Sequence, residues 1–170
     1  MKKAWLERFE DCPVIAAIKD DTGLEAALKS DIGIVFVLYG DVCSISKITQ
    51  RLKEAGKMVI VHLDLIQGLS AKEISVNFIH QTTEADGIIS TKPALIRQAK
   101  ECGMCTVMRF FAIDSMAFDN IRRQSDAVHP DIIEVLPGLM PKVIHRICQE
   151  SRIPVIAGGL ITDKEDIMGA

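Results

Sequence analysis

Seven short Val- and Ile-rich runs, separated by stretches of helical periodicity, leave this chain few folds to choose from. They read "PVIAAIK", "IGIVFVLY", "MVIVHLDLI", "DGIIST", "CTVMRFF", "DIIEVLPG" and "PVIAGG" in chain order. Near-continuous apolar runs of this length are what strands buried on both faces of a parallel sheet look like, since each face is covered by helices or by other strands. Seven βα units in succession favour a (β/α)8 TIM-type barrel, an α/β fold, over an open doubly wound sheet. The eighth strand is absent. An open seam would expose two strand edges, so the expectation is that the native protein continues beyond Ala170.

The intervening segments carry helix signals. In "SISKITQRLKEAG" the apolar positions Ile45, Ile48, Leu52 and Ala55 lie on one face, and Gly56 provides a stop. Ser70 with Glu73, and Thr162 with Glu165, have capping-box spacing. Pro93 and Pro141 suit the first turns of the helices after the fourth and sixth strands, and Gly103 suits the stop of the former. No linker interrupts the pattern, and 170 residues suffice for one barrel domain spanning 1–170 with an incomplete C-terminal end.

Composition narrows the setting. The chain is 48% hydrophobic and 25% charged, without a run near the ~18 apolar residues of a membrane span. "MKKAWLERFEDC" has two lysines but no apolar core behind them, which excludes a signal peptide. Five cysteines without framework spacing predict reduced thiols and a cytoplasmic protein. In "CGMC", Cys102 falls at a helix C-terminus, where no dipole favours a thiolate, so neither a redox pair nor a zinc site is expected.

In a barrel of this type function sits at the C-terminal ends of the strands. Those ends carry Lys19, Tyr39, His62 with Asp64, Thr91 with Lys92, Arg109, Glu134 and the pair Gly158-Gly159. Charge inside an apolar strand is costly unless it is paired or wet. Period-two alternation places His62 and Asp64 on one face of the third strand. Arg109 and Glu134, on consecutive strands, either meet a ligand or pair with each other. His62 is a ligand contact or a core histidine, and Lys92 a ligand contact or a solvated loop lysine. Adjacent glycines after the seventh strand permit close approach of backbone, and phosphate sites in such barrels lie at the loops after strands seven and eight. The candidate ligand set is therefore Lys19, His62, Asp64, Lys92, Arg109, Glu134, Gly158 and Gly159, with no catalytic or metal residue assigned.

The motifs "VHLDLIQGL", "DGIISTK", "RFFAIDS", "DIIEVLPG" and "PVIAGGLI", in this order between Met58 and Ile161, resemble the glycerol uptake operon antiterminator family. The resemblance implies a barrel that binds glycerol 3-phosphate as effector, needs no cofactor, performs no catalysis, and acts on the leader of glycerol-catabolism mRNA. Its implied partners are that ligand and that RNA, with a second copy of the chain as a further candidate.

RNA binding is not legible from the residues. The formal charge is −3, there are eight aromatic residues (one Trp, one Tyr, six Phe), and no RNP or KH motif occurs. The basic candidates are Arg122, Arg123, Lys142, Arg146 and Arg152, all on segments that a barrel turns outward. The competing reading is an enzyme acting on a small phosphorylated polyol or sugar, with Asp64 or Glu134 as base and Lys92 as electrophile or Schiff-base amine.

Overall fold

The computed structural model describes residues 2–170, with side chains described from Trp5 onward. The chain divides into two compact units, Met1–Cys105 and Thr106–Ala170.

The first unit opens with α1 (Lys2–Asp11) and continues β1 (Ala16–Ile18), α2 (Asp21–Lys29), β2 (Ile34–Val37), α3 (Ile45–Glu54), β3 (Met58–His62), a 3-10 turn (Leu63–Leu65), α4 (Glu73–Thr82), β4 (Gly87–Ser90) and α5 (Pro93–Glu101). Strands β1 to β4 pair in parallel in chain order, with Ala16 opposite Val35, Phe36 opposite Ile60 and His62 opposite Ile89. Alternation sorts their side chains. Val35, Val37, Val59, Val61 and Ile88 pack against Leu24 of α2, Ile45 and Leu52 of α3, Val76 and Ile79 of α4 and Leu95 of α5. Ile34, Phe36, Ile60, His62 and Ile89 occupy the other face and are also buried. Burial on both faces is why these strands read as unbroken apolar runs.

The second unit holds β5 (Cys105–Phe111, all but its first residue), α6 (Ser115–Val128), β6 (Ile132–Leu136), α7 (Pro141–Glu150), β7 (Val155–Ala157) and α8 (Lys164–Gly169). Its strands are again parallel and sequential, Arg109 lying opposite Glu134 and Glu134 opposite Ile156.

Most helix boundaries follow the sequence signals. Pro93 and Pro141 occupy first turns. Gly56 and Gly103 follow α3 and α5 at φ of 74° and 75°, and the next residues, Lys57 and Met104, donate their N–H groups back to Leu52 and Ala99. Two expectations need correction. Ser70 does not cap α4: its backbone N–H meets Ser75 Oγ at 3.1 Å, Ser75 Oγ donates to its carbonyl, and the helix starts after Lys72. The predicted Thr162–Glu165 box is displaced by one residue. Asp163 is the cap, accepting from the Asp166 N–H at 2.9 Å, while Asp166 accepts from the Thr162 N–H and hydroxyl. A carboxylate outcompetes a threonine hydroxyl here because it is the stronger acceptor.

Candidate functional site

In the first unit, Asp64 is the hub of the strand-end polar groups. The expectation that it shares a strand face with His62 does not hold: β3 ends at His62 and the chain turns immediately into the 3-10 segment that contains Asp64. This turn carries the carboxylate to the end of β4. There Oδ2 accepts from the Thr91 N–H at 2.8 Å and the Thr91 hydroxyl at 3.1 Å, and Ser90 Oγ donates to Oδ1 at 3.0 Å. Lys92 Nζ completes the set at 2.9 Å from Oδ1. Burial opposes the charge on Asp64, but the Thr91 N–H, the Lys92 ammonium and the Ser90 hydroxyl outweigh it and hold the carboxyl below the usual carboxylate range. Lys92 thus belongs to a fixed ion pair with a partly exposed ammonium, not to a free loop.

His62 itself is buried at the end of β3, on the face opposite the helices. Lys19 is exposed after β1. Tyr39, after β2, donates its hydroxyl to Asp21 Oδ1 at 2.9 Å. Burial and that acceptor push the phenol well above its ordinary range.

In the second unit the strand register decides the arrangement. Arg109 Nε lies 2.6 Å from Glu134 Oε2 and Arg109 Nη2 lies 3.3 Å from Oε1, a two-point pair with side chains only 10% and 6% exposed. Of the two readings open for these residues, the pairing is therefore realised. Gly158 is part of the same arrangement. A Cβ there would sit 2.5 Å from Glu134 Oε1. Gly159 has φ 76° and Leu160 follows at φ 63°, so the loop runs through two consecutive left-handed residues. The Gly159 carbonyl accepts from the Gly138 N–H at 3.0 Å, which ties the loop after β7 to the loop after β6. The double glycine has a reason inside the fold: it makes room for a buried carboxylate and permits the reversal that follows.

The basic candidates sit on the helices of this unit. Arg123 Nη2 donates to Asn120 Oδ1 at 3.0 Å, and Arg146 pairs with Glu150 at 3.2 Å while its guanidinium stacks 4.3 Å from the Phe118 ring centroid. Arg122 and Arg152 line one groove beside α6, and Lys142 is exposed in the first turn of α7. The five cysteines are free thiols, and among the described residues no group of His, Cys, Asp and Glu is placed to hold a metal ion.

Sequence reasoning missed two features. Ser90 joins the Asp64 cluster, and the signal for it was the polar end of "DGIIST". Ser125 lies buried on α6 without a hydrogen-bond partner for its hydroxyl. Nothing in the sequence marks it, because a serine on a helix is unremarkable until the helix is packed.

The same strand and helix order occurs in known proteins. Residues 14–170 match the family model described as glycerol-3-phosphate responsive antiterminator. The chain belongs to that family. A curated relative, YgcP of Escherichia coli (strain K12), carries the description "uncharacterized protein" and is 46% identical over 158 residues, covering 93% of this chain and 83% of its own. The crystal structure of the glycerol uptake operon antiterminator regulatory protein of Listeria monocytogenes is similar at 34% identity, with a TM-score of 0.87 over 91% of this chain and 84% of that one. A glycerol uptake operon antiterminator-related protein of Thermotoga maritima gives 35% identity and a TM-score of 0.79 over 91% and 86%. An aldolase, QR15, shares the fold alone, at 14% identity and a TM-score of 0.72 over 92% of this chain and 84% of that one. The fold is accordingly α/β, of the (β/α) TIM-barrel type.

Proposed function

We propose that this protein binds glycerol 3-phosphate at its strand ends and, when so occupied, binds the leader of glycerol-catabolism mRNA to prevent early termination. The observation that carries the reading is the match of residues 14–170 to the antiterminator family. The residues are chemically suited to the ligand. A phosphomonoester needs cations or backbone N–H groups, and a polyol needs fixed acceptors for its hydroxyls. Two such pairs of a cation with a carboxylate are present, Lys92 with Asp64 in the first unit and, separately, Arg109 with Glu134 in the second. Gly158 leaves the room that the Glu134 carboxylate of the second pair fills.

The same geometry disfavours one form of the enzyme reading, Lys92 as a Schiff-base amine. A Schiff-base lysine acts as a neutral amine, activated by desolvation or by a neighbouring cation. Lys92 instead donates to a carboxylate held by three further donor groups.

Calorimetric titration tests the proposal. Glycerol 3-phosphate should bind at least tenfold more tightly than glycerol, about 1.4 kcal/mol, and NMR should recover it unchanged after prolonged incubation with the protein. Equal affinity for the two compounds, or appearance of a product, would contradict it.

A further inference from the structure

Asp64 and Lys92 form one ion pair, but the two charged groups differ in what they can still bind. An ionised carboxylate offers about four acceptor positions on its two oxygens. Four donors occupy those of Asp64: the Thr91 N–H at 2.8 Å, the Thr91 hydroxyl at 3.1 Å, the Ser90 hydroxyl at 3.0 Å and the Lys92 ammonium at 2.9 Å. Its side chain is 11% exposed. The ammonium carries three N–H donors and gives one to Asp64, and the Lys92 side chain is 43% exposed. Solvent therefore meets the cationic end of this pair.

The surrounding residues hold that end in place. Pro93 restricts the residue before it to extended backbone, and Lys92 has φ −105° and ψ 115°. Its N–H donates to Ser90 Oγ at 3.0 Å. Ser90 is buried and its hydroxyl donates in turn to Asp64, so one serine fixes both members of the pair. Two other ion pairs of the protein lack this asymmetry. Lys53 meets both oxygens of Asp86, just before β4, at 2.7 and 2.9 Å, and their side chains are 26% and 23% exposed. Arg109 and Glu134 are both largely shielded from water.

We propose that Lys92 is the residue of the first unit that meets the phosphate of the ligand, and that Asp64 touches no ligand and is a positioning residue for the ammonium. This rests on the glycerol 3-phosphate reading above and assigns its phosphate a contact. An oriented ammonium with N–H donors left over suits a group that carries negative charge and only accepts hydrogen bonds. A phosphomonoester is such a group, and a polyol hydroxyl, which has a proton of its own to place, is not. A lysine ordered before the ligand arrives has less side-chain freedom left to lose on binding. Asp64 also offsets the charge of the ammonium beyond its immediate neighbourhood, so the contact acts at short range, where salt screens little.

Calorimetry on the full chain, without RNA, compares glycerol 3-phosphate with glycerol. Lys92→Met should weaken glycerol 3-phosphate at least tenfold and shrink its advantage over glycerol by the same factor, while Lys92→Arg, which keeps the charge, should lose less. Asp64 retains three of its donors in Lys92→Met, which favours folding of that variant; should it fail to fold, Lys92→Gln carries the test with the same expected loss. Asp64→Asn leaves the ammonium without its counter-charge, so affinity for glycerol 3-phosphate should fall more steeply with added salt than in wild type. Wild-type affinity in folded Lys92→Met or Lys92→Gln would overturn the phosphate assignment, and so would an equal loss for both compounds. An unchanged salt dependence in Asp64→Asn would overturn the positioning role. Failure of the wild-type protein to bind glycerol 3-phosphate would overturn the functional reading itself, and this assignment with it.

Discussion

A methyl group at position 158 would lie 2.5 Å from Oε1 of Glu134, and Glu134 is already held at 2.6 Å by Arg109. These three residues define one another. A buried ion pair contributes little net stability while intact, but removing one partner strands a desolvated charge at a cost of about 3–5 kcal/mol. Arg109→Met should therefore destabilise the protein by about that amount in urea unfolding, because Glu134 would be left 6% exposed with no cation. A stability change under 1 kcal/mol together with loss of glycerol 3-phosphate binding would instead make Arg109 a ligand residue above all. The sequence names both residues and also the possibility that they pair. It does not contain the register that places residues 109 and 134 directly opposite, nor the packing that makes Gly158 a partner of the carboxylate.

Among elements, the strands were legible and several helix starts were not. Val- and Ile-rich runs mark all seven strands; β2, β3 and β4 are buried throughout, while β1 and β7 are only partly buried and still carry the pattern. Helices α2, α6 and α8 begin instead at aspartates, Asp20, Asp114 and Asp163, each accepting an N–H from the first turn at 2.7, 2.7 and 2.9 Å. A Ser/Thr capping-box search passes over such starts. The 3-10 turn after β3 was hidden for another reason: "HLDLI" continues the alternation of the strand before it. That turn makes Asp64 a fastener between the end of β3 and the end of β4, and gives it a pH signature. Its carboxyl is held below the ordinary value in the folded protein. The stabilisation is therefore present above the unfolded-state pKa of about 3.9 and is lost as pH falls through and below it. Asp64→Asn should lower stability at pH 7 and flatten the fall in melting temperature between about pH 5 and pH 2. The slope should be reduced, not abolished, because Asp41 and Asp166 are held low as well. An acid limb identical to wild type would remove Asp64 from this role.

At the scale of the whole molecule, the net charge of −3 means that the RNA binding proposed above has to come from local contacts and not from the overall field. No described helix is long and apolar enough to cross a membrane. The family resemblance was legible because its five motifs lie on strand ends, where the residue choice is set by chemistry as well as packing. A ligand-switched regulator couples two binding events, and linkage requires each ligand to raise the affinity for the other by one common factor. The most direct measurement is a titration of the leader transcript against the protein with and without saturating glycerol 3-phosphate, read by gel shift at fixed salt. Glycerol 3-phosphate should tighten RNA binding by roughly 5–150-fold, about 1–3 kcal/mol, and glycerol alone should leave it unchanged. The same RNA affinity with and without glycerol 3-phosphate would contradict the switch.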